Sequence, residues 1–160
     1  MDDVIEIICE SEDAVVDQVQ KLLQDTVLFV LRHFGINESM VSISLVDPQR
    51  IRELNRQFRN KDQETDILSF AQYEDLDEIK DSLFKNEPVH LGDLVLCLKA
   101  IRENSRTYLV YFHEELSRLI IHGMLHIIGM VHQSYDASDL MLTEQEKLLR
   151  EYLDTRSTGI

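Results

Sequence analysis

The chain is short of positive charge. Its 160 residues include 16 lysines and arginines against 30 aspartates and glutamates, which gives a net charge of -14. Such a charge argues against generic binding to phosphate backbones, because that binding depends on many basic side chains. The exception is the segment 50–61, which holds five basic residues and one acidic residue. Any phosphate-binding surface is therefore expected on this segment.

Long apolar runs are also lacking. The longest nearly apolar stretch, residues 119–131, falls well short of the roughly 20 residues that a membrane-spanning helix requires. The start, Met1-Asp2-Asp3, lacks the basic segment that opens a secretory signal. We therefore expect a cytoplasmic protein with no membrane partner.

Cysteine is scarce as well. Cys9 and Cys97 lie in separate apolar runs without the close spacing of metal ligands, and both are expected to be buried, reduced thiols. The chain has no internal repeat, low-complexity tract or interdomain linker, and its length is that of one domain. We predict a single domain over residues 1–160, with a frayed tail over about 154–160.

Hydrophobic patterning predicts an alternation of strands and helices. Strands are predicted at residues 4–9, 41–46, 65–70 and 91–97. Helices are predicted after residues 11–13, from Asp47-Pro48, at 99–105, from His113 or Glu114, and at 138–153. The acidic stretch 73–90 is predicted to be a solvated loop or a short surface helix.

The second predicted helix carries two different faces. Ile51, Leu54 and Phe58 form its predicted buried stripe. Arg52, Arg56 and Arg59 follow at i, i+4 and i+7 and share another face. By spacing alone, such arginines are either a solvated surface or a phosphate-binding stripe.

Three histidines lie close together in the most apolar part of the chain. His122, His126 and His132 stand at relative positions one, five and eleven, with Gly129 at position eight. On a helix the first two project from one face, and Gly129 is suited to end the helix so that the chain returns His132. Three imidazoles with an open fourth position indicate a catalytic zinc site, although satisfied core histidines and a closed structural metal site remain alternatives.

The spacing is that of the zinc-protease motif H-E-x-x-H-x-x-G-x-x-H, with one change. Gly123 stands where a peptidase carries its general-base glutamate. Glycine weakens a helix interior by about 1 kcal/mol relative to alanine, so Gly123 is expected to permit the close approach of another backbone or a ligand. The metal-binding spacing is kept and the proteolytic base is missing.

Four blocks of the chain resemble the YbeY family of metal-dependent endoribonucleases, which are implicated in ribosomal RNA maturation. The blocks are Leu54-Asn55 with Phe58-Arg59, then TDILSF at 65–70, LGDLVLC at 91–97, and the histidine block at 122–132. The resemblance implies an α+β fold, a small mixed β-sheet packed against helices in a zincin-like single domain with a buried central histidine helix. It places a metal in a cleft between the histidine helix and the arginine helix.

The resemblance also implies the site residues. His122, His126 and His132 match the zinc ligands, Arg59 matches the functional arginine that binds phosphate, and Arg52, Arg56 and Ser69 are the candidate substrate-binding residues. One Zn²⁺ held by three histidines and water would hydrolyse phosphodiester bonds of single-stranded RNA. The implied partners are ribosomal RNA and the ribosome or its proteins, and not DNA.

One position departs from the family pattern. The family usually has Gly-Tyr-Asp-His at the end of the motif, whereas this chain has Gly129-Met130-Val131-His132. The carboxylate beside the third ligand is therefore missing, and Asp136 is the candidate replacement. Two other classes stay open: a metal-dependent hydrolase of another substrate, and a non-catalytic ribosome-associated or metal-binding protein.

Overall fold

The computed structural model describes residues 3–11, 16–130 and 139–158, in which strands and helices alternate up to residue 107 and two more helices follow. The strands are β1 (Val4–Cys9), β2 (Ser39–Leu45), β3 (Ile67–Ala71) and β4 (Val89–Leu96). The helices are α1 (Val16–His33), α2 (Pro48–Arg59), α3 (Leu76–Phe84), α4 (Leu98–Thr107), α5 (Phe112–Ile127) and α6 (Leu140–Thr158). Within these ranges, no helix is long and apolar enough to cross a membrane.

The four strands form one mixed sheet in the order β1-β2-β4-β3. Strands β1, β2 and β4 are parallel, and β3 runs antiparallel to β4. The sheet packs against helices, so the predicted α+β class is confirmed. Strand β4 lies inside the sheet, as its continuous apolar run predicts.

Strand β1 corrects two expectations. It is apolar enough for the interior of a sheet, yet it lies at an edge, and Val4 and Ile8 remain 53% and 41% exposed. The thiol of Cys9 is consequently exposed, whereas that of Cys97 is buried as expected. An edge strand and an interior strand share the same local pattern, because only the neighbouring strands distinguish them.

Helix α5 is the buried centre of the larger core, as predicted. It packs against α1, α4 and α6 and against strands β3 and β4. A Cβ atom added to Gly123 would lie 2.7 Å from Leu94 Cδ2 and 2.8 Å from Ile67 Cδ1. The glycine therefore allows α5 to lie close to the sheet, but the groups that approach it are side chains and not the backbone or ligand that was expected.

Gly129 ends this helix, also as predicted. Its φ of +99° lies in the region that favours glycine. The amide of Gly129 donates to the carbonyl of His126 at 3.0 Å, and that of Met130 donates to Leu125 at 2.9 Å. These bonds satisfy carbonyls that the helix end leaves without intrahelical donors. The predicted third ligand, His132, lies outside the described residues.

The opposite face of the sheet carries helix α2 and a smaller core. Its buried members are Val46, Ile51, Leu68, Val95 and Cys97. The helix begins at Pro48, but the Asp47 carboxylate accepts a hydrogen bond from Ser11 Oγ at 2.9 Å and makes no side-chain cap. Asp47 therefore precedes the helix without capping it through its side chain.

The predicted buried stripe of α2 is only partly correct. Ile51 is fully buried and Leu54 half-buried, but Phe58 is 52% exposed. The buried polar residue is Asn55, whose side-chain amide donates to the carbonyl of Gln63 at 3.0 Å. Phe58 lies at the end of the helix, where Phe70 contacts it edge-to-face with ring centroids 5.3 Å apart.

Two further predictions concern surface segments. The acidic stretch contains the short surface helix α3, which buries Ile79. The expected frayed tail is wrong over residues 154–158, because α6 continues to Thr158. Thr155 Oγ1 donates to the Glu151 carbonyl at 2.8 Å, and Arg156 donates to the Tyr152 hydroxyl at 2.9 Å. The inner side of α6 is formed by four buried residues, Met141, Leu148, Leu149 and Tyr152.

Candidate active site

A cleft of about 400 Å³ opens between helix α5 and the edge strand β3. Its lining residues are Arg59, Ile67, Leu68, Ser69, Ala71, His122 and His126. Four residues that the sequence predicts for the site, Arg59, Ser69, His122 and His126, therefore meet in one cavity. Arg52 and Arg56 do not line it. His132, Val131 and Asp136 lie outside the described residues.

The two imidazoles converge because helix α5 places residues four apart on one face. His122 Nε2 and His126 Nε2 lie 3.1 Å apart, and their rings meet edge-on at 79°. Both residues are half-buried in the apolar C-terminal part of the helix, which starts at Leu119. The ring nitrogens are therefore fixed by the backbone of a packed helix and not by a surface loop.

Gln145 of α6 orients the imidazole of His122. Its carbonyl oxygen Oε1 lies 2.7 Å from His122 Nδ1, and Gln145 is buried. Because Oε1 is an acceptor, Nδ1 donates the hydrogen in this bond. In the neutral imidazole, Nε2 then carries the lone pair and faces His126 Nε2.

This geometry fits a zinc ion. Two nitrogens bound to one tetrahedral zinc at the usual bond lengths are about 3.3 Å apart, close to the separation seen here. A hydrogen bond from the second ring nitrogen is the usual support for a histidine ligand. No cluster of three metal-binding side chains is found within residues 3–11, 16–130 and 139–158. A third protein ligand would have to come from elsewhere in the chain.

A network of ion pairs holds α6 against α5 one turn before His122. Arg118 donates to Glu115 at 2.8 Å and to both carboxylate oxygens of Glu146 at 3.1 and 3.2 Å. Burial opposes the charge of Arg118, but the bonds to Glu115 and Glu146 outweigh it and raise the pKa of the guanidinium. The network ties α6 to α5 next to Gln145, whose bond to His122 is a separate contact.

Arg59 reaches the cleft from helix α2, which packs on the opposite face of the sheet. Helix α2 ends at Arg59 because Asn60 takes a left-handed conformation, with φ +57°. Arg59 Nη2 donates to the carbonyl of Ser69 at 2.7 Å, and the guanidinium carbon lies 4.8 Å from the Phe70 ring centroid. One bond to β3 and one aromatic face therefore hold Arg59 at the cleft, and further N–H donors of the guanidinium remain.

The other two arginines of the stripe differ from Arg59. Arg52 Nε lies 2.9 Å from Asp62 Oδ1, a bond that raises the pKa of Arg52 and lowers the pKa of Asp62. Both groups are fully exposed. The side chain of Arg56 is exposed and makes no hydrogen bond or ion pair within the part of the chain that the structure describes.

Two contacts of the site were not anticipated from the sequence. Gln145 on α6 contacts His122 on α5, and Arg118 on α5 contacts Glu146 on α6. The sequence pattern of neither helix indicates these contacts between helices. The i, i+3 spacing of Glu115 and Arg118 is a signal for an ion pair, but it does not point to α6.

The fold and the cleft define a class: a small α+β protein whose polar cavity joins two convergent imidazoles to an arginine. The chain matches the family model described as endoribonuclease YbeY over residues 6–153. It is 39% identical over 115 residues to an endoribonuclease YbeY of Exiguobacterium sibiricum, covering 71% of this chain and 73% of that protein. With the Bacillus velezensis endoribonuclease YbeY it shares 34% identity over 157 residues, covering 96% and 98%. The chain belongs to the YbeY family.

A solved structure supports the fold. The solution structure of TM1509 from Thermotoga maritima aligns with a TM-score of 0.63 and 25% identity, over 97% of this chain and 93% of that one. The predicted family and fold class are both confirmed. Because the family is described as one of endoribonucleases, the prediction of an enzyme of the hydrolase class is also confirmed.

Proposed function

We propose that this chain is a metal-dependent endoribonuclease that cleaves single-stranded RNA, with ribosomal RNA as its substrate. The convergence of His122 Nε2 and His126 Nε2 to 3.1 Å, in a cleft that also contains Arg59, carries the proposal. His122 and His126 would hold one Zn²⁺, with His132 as the third ligand by its match to the motif. Zinc supplies Lewis-acid activation of a hydroxyl nucleophile near neutral pH.

Gln145 prepares His122 for this role. The 2.7 Å bond between His122 Nδ1 and Gln145 Oε1 holds the ring with Nε2 turned toward His126. Such a bond raises the basicity of the ring nitrogen that faces an ion. The two Nε2 atoms are therefore placed to bind one ion.

Arg59 is the proposed phosphate-binding residue. Cleavage of a phosphodiester places extra negative charge on the phosphate oxygens in the transition state, and a preorganised guanidinium stabilises that charge. The Ser69 carbonyl holds one amino group of Arg59, which leaves other donors of its planar fork for the oxygens. Ser69 itself lines the cleft as a further substrate-binding residue.

A peptidase activity is disfavoured by the packing of Gly123. A glutamate here would place its Cβ within 3 Å of side chains on β3 and β4. The position faces the sheet, so a glutamate at residue 123 would require Leu94 and Ile67 to shift.

Location in the cell and recruitment to RNA complete the proposal. We propose that the enzyme acts in the cytoplasm, on RNA and not on DNA, without a membrane partner. With a net charge of -14, we expect local focusing at residues 50–61 or recruitment by a ribosomal protein, and not broad electrostatic capture. A steep salt dependence of RNA binding would contradict this expectation.

The experiment compares wild type with His126→Ala after refolding with Zn²⁺. Zinc content and cleavage of single-stranded RNA are measured with and without EDTA, and casein serves as the peptidase substrate. Wild type should hold zinc, cleave RNA in an EDTA-sensitive way and leave casein intact, whereas His126→Ala should lose both zinc and cleavage.

His113→Ala is the matched control, because His113 is an exposed histidine on the same helix and does not line the cleft. This variant should keep zinc and activity. A wild type that holds no zinc, or a His126→Ala variant that cleaves as well as wild type, would overturn the proposal.

A further inference from the structure

Phe58 is a large apolar side chain that the fold leaves in solvent. It is the penultimate residue of α2 and is 52% exposed. Its ring meets Phe70 edge-to-face, with centroids 5.3 Å apart. The contact holds the ring in place while about half of the residue stays accessible.

Phe58 also stands in a row with the phosphate-binding residue of the cleft. The guanidinium carbon of Arg59 lies 4.8 Å from the Phe70 centroid. The Phe58 ring and the Arg59 guanidinium therefore both contact the ring of Phe70, and Arg59 Nη1 donates to the Phe58 carbonyl at 3.4 Å. A phosphate held at Arg59 would therefore bring a neighbouring base close to Phe58.

The electrostatic setting favours a polyanion. Phe58 lies in the segment 50–61, the one basic stretch of an acidic chain. Arg56 lies two residues before it and forms no ion pair within residues 3–11, 16–130 and 139–158. Aromatic rings interleaved with basic side chains are how proteins hold single-stranded nucleic acid: the cations follow the phosphates and the bases stack on the rings.

We propose that Phe58 is a stacking platform for an unpaired RNA base next to the phosphate held at Arg59. The proposal rests on the proposed endoribonuclease function and adds a subsite to it. Stacking on an aromatic face does not read base identity, so this subsite selects for unpaired RNA and not for a sequence. A base that remains paired and stacked in a duplex does not offer its face in this way.

Phe84, another exposed phenylalanine, lacks this setting. Phe84 is 92% exposed, but it ends α3 within the acidic stretch 73–90. A polyanion is repelled there. Phe84 is therefore the matched control for an exposed phenylalanine away from the cleft.

The absence of tryptophan from the chain provides a direct test. Phe58→Trp and Phe84→Trp each create a protein with one tryptophan, whose fluorescence is quenched when a base stacks on it. The zinc-loaded proteins are titrated with a short single-stranded RNA and with an abasic RNA of equal length, and gels verify that the RNA is intact after each titration. Phe58→Leu is titrated in parallel, because leucine keeps an apolar contact with Phe70 and removes the aromatic face.

The expected result is quenching of Phe58→Trp by the RNA with bases, little quenching by the abasic RNA, and none for Phe84→Trp. Phe58→Leu should bind RNA roughly tenfold more weakly than wild type and bind abasic RNA equally well. Unquenched Phe58→Trp, or a Phe58→Leu variant that binds RNA like wild type, overturns the stacking proposal while metal-dependent cleavage by wild type still supports the proposed function. A wild type that neither binds nor cleaves RNA overturns both.

Discussion

The two faces of the sheet hold the candidate site in different ways. On one face, the histidines of α5 are backed by a continuous core from α1, α5, α6 and the sheet. On the other face, Arg59 of α2 is backed by a small buried cluster and by the partly exposed rings of Phe58 and Phe70.

The difference in packing matches the chemistry proposed for each face, which is metal binding on the α5 face and phosphate binding on the α2 face. Ligands of one ion must be held within a few tenths of an ångström, which requires locked side chains and supporting hydrogen bonds. A guanidinium that meets a flexible RNA chain tolerates more freedom. The comparison therefore predicts that similar substitutions have large effects on the α5 face and small ones on the α2 face.

The largest contrast is expected for core truncations. Ile120→Ala removes a fully buried side chain from α5 and should lower the free energy of unfolding by about 3 to 4 kcal/mol. Leu54→Ala on α2 affects a half-buried side chain and should cost about 1 kcal/mol. Urea denaturation of both variants measures the difference, and equal losses would show that the two faces are equally packed.

The next contrast concerns two arginines in ion pairs. Arg118→Met leaves the buried carboxylate of Glu115 without its partner and should cost about 3 kcal/mol, the low end for a broken buried pair, because Arg118 is partly exposed. Arg52→Met breaks a fully exposed pair with Asp62 and should leave the unfolding midpoint unchanged, because solvent screens such pairs. Thermal unfolding at low and high salt checks both, and a large loss for Arg52→Met would contradict the comparison.

A smaller effect is expected from the residue that orients His122. Gln145→Leu removes the acceptor of the Nδ1 hydrogen and should weaken zinc binding about 10- to 100-fold. Gln145→Glu keeps an acceptor and should bind zinc as well as wild type. Competition with a chelator at fixed pH measures the affinity.

Glu146→Gln is the control for this prediction. Glu146 lies on the same helix as Gln145, and its substitution weakens the ion pair with Arg118 of α5 without touching a histidine. Stability should therefore fall while the zinc affinity of the folded protein stays the same. Unchanged affinity in Gln145→Leu would remove Gln145 from the site.

The smallest perturbation uses the two thiols. Cys9 is exposed, whereas Cys97 is buried in the α2-side cluster. Burial raises the pKa of the Cys97 thiol, so its reactive thiolate is suppressed until the cluster opens. In a Cys9→Ser variant, a thiol reagent should label Cys97 when the α2-side cluster opens locally. This local opening should cost less free energy than global unfolding. Labelling only at the rate of global unfolding would mean that the α2 face is as stable as the α5 face.

Local features of the site were predictable because they depend on helix geometry. The four-residue spacing of His122 and His126 fixes both side chains on one face. The missing Cβ of Gly123 permits close packing, and the positive φ of Gly129 ends the helix. Arg59 and Ser69 came from the family resemblance. The structure brings them together through a backbone carbonyl, a contact that side-chain patterns do not encode.

The errors share a physical cause. Phe58 has the spacing of a core residue, but it lies at the end of α2, where the edge strand β3 offers Phe70 and little else to cover it. Cys9 was expected to be buried because an edge strand and an interior strand look alike in sequence. The roles of Gln145 and Arg118 depend on contacts between α5 and α6, which a single sequence does not reveal.

The most direct test of the account is the RNA cleavage rate per bound zinc in Arg59→Ala. The α5 face is proposed to hold the metal and the α2 face the phosphate. Arg59→Ala should therefore keep the zinc content and unfolding midpoint of wild type and lose most of its cleavage. Cleavage per zinc equal to that of wild type would contradict the assignment of Arg59. Loss of zinc together with cleavage would contradict the division of the site between the two faces.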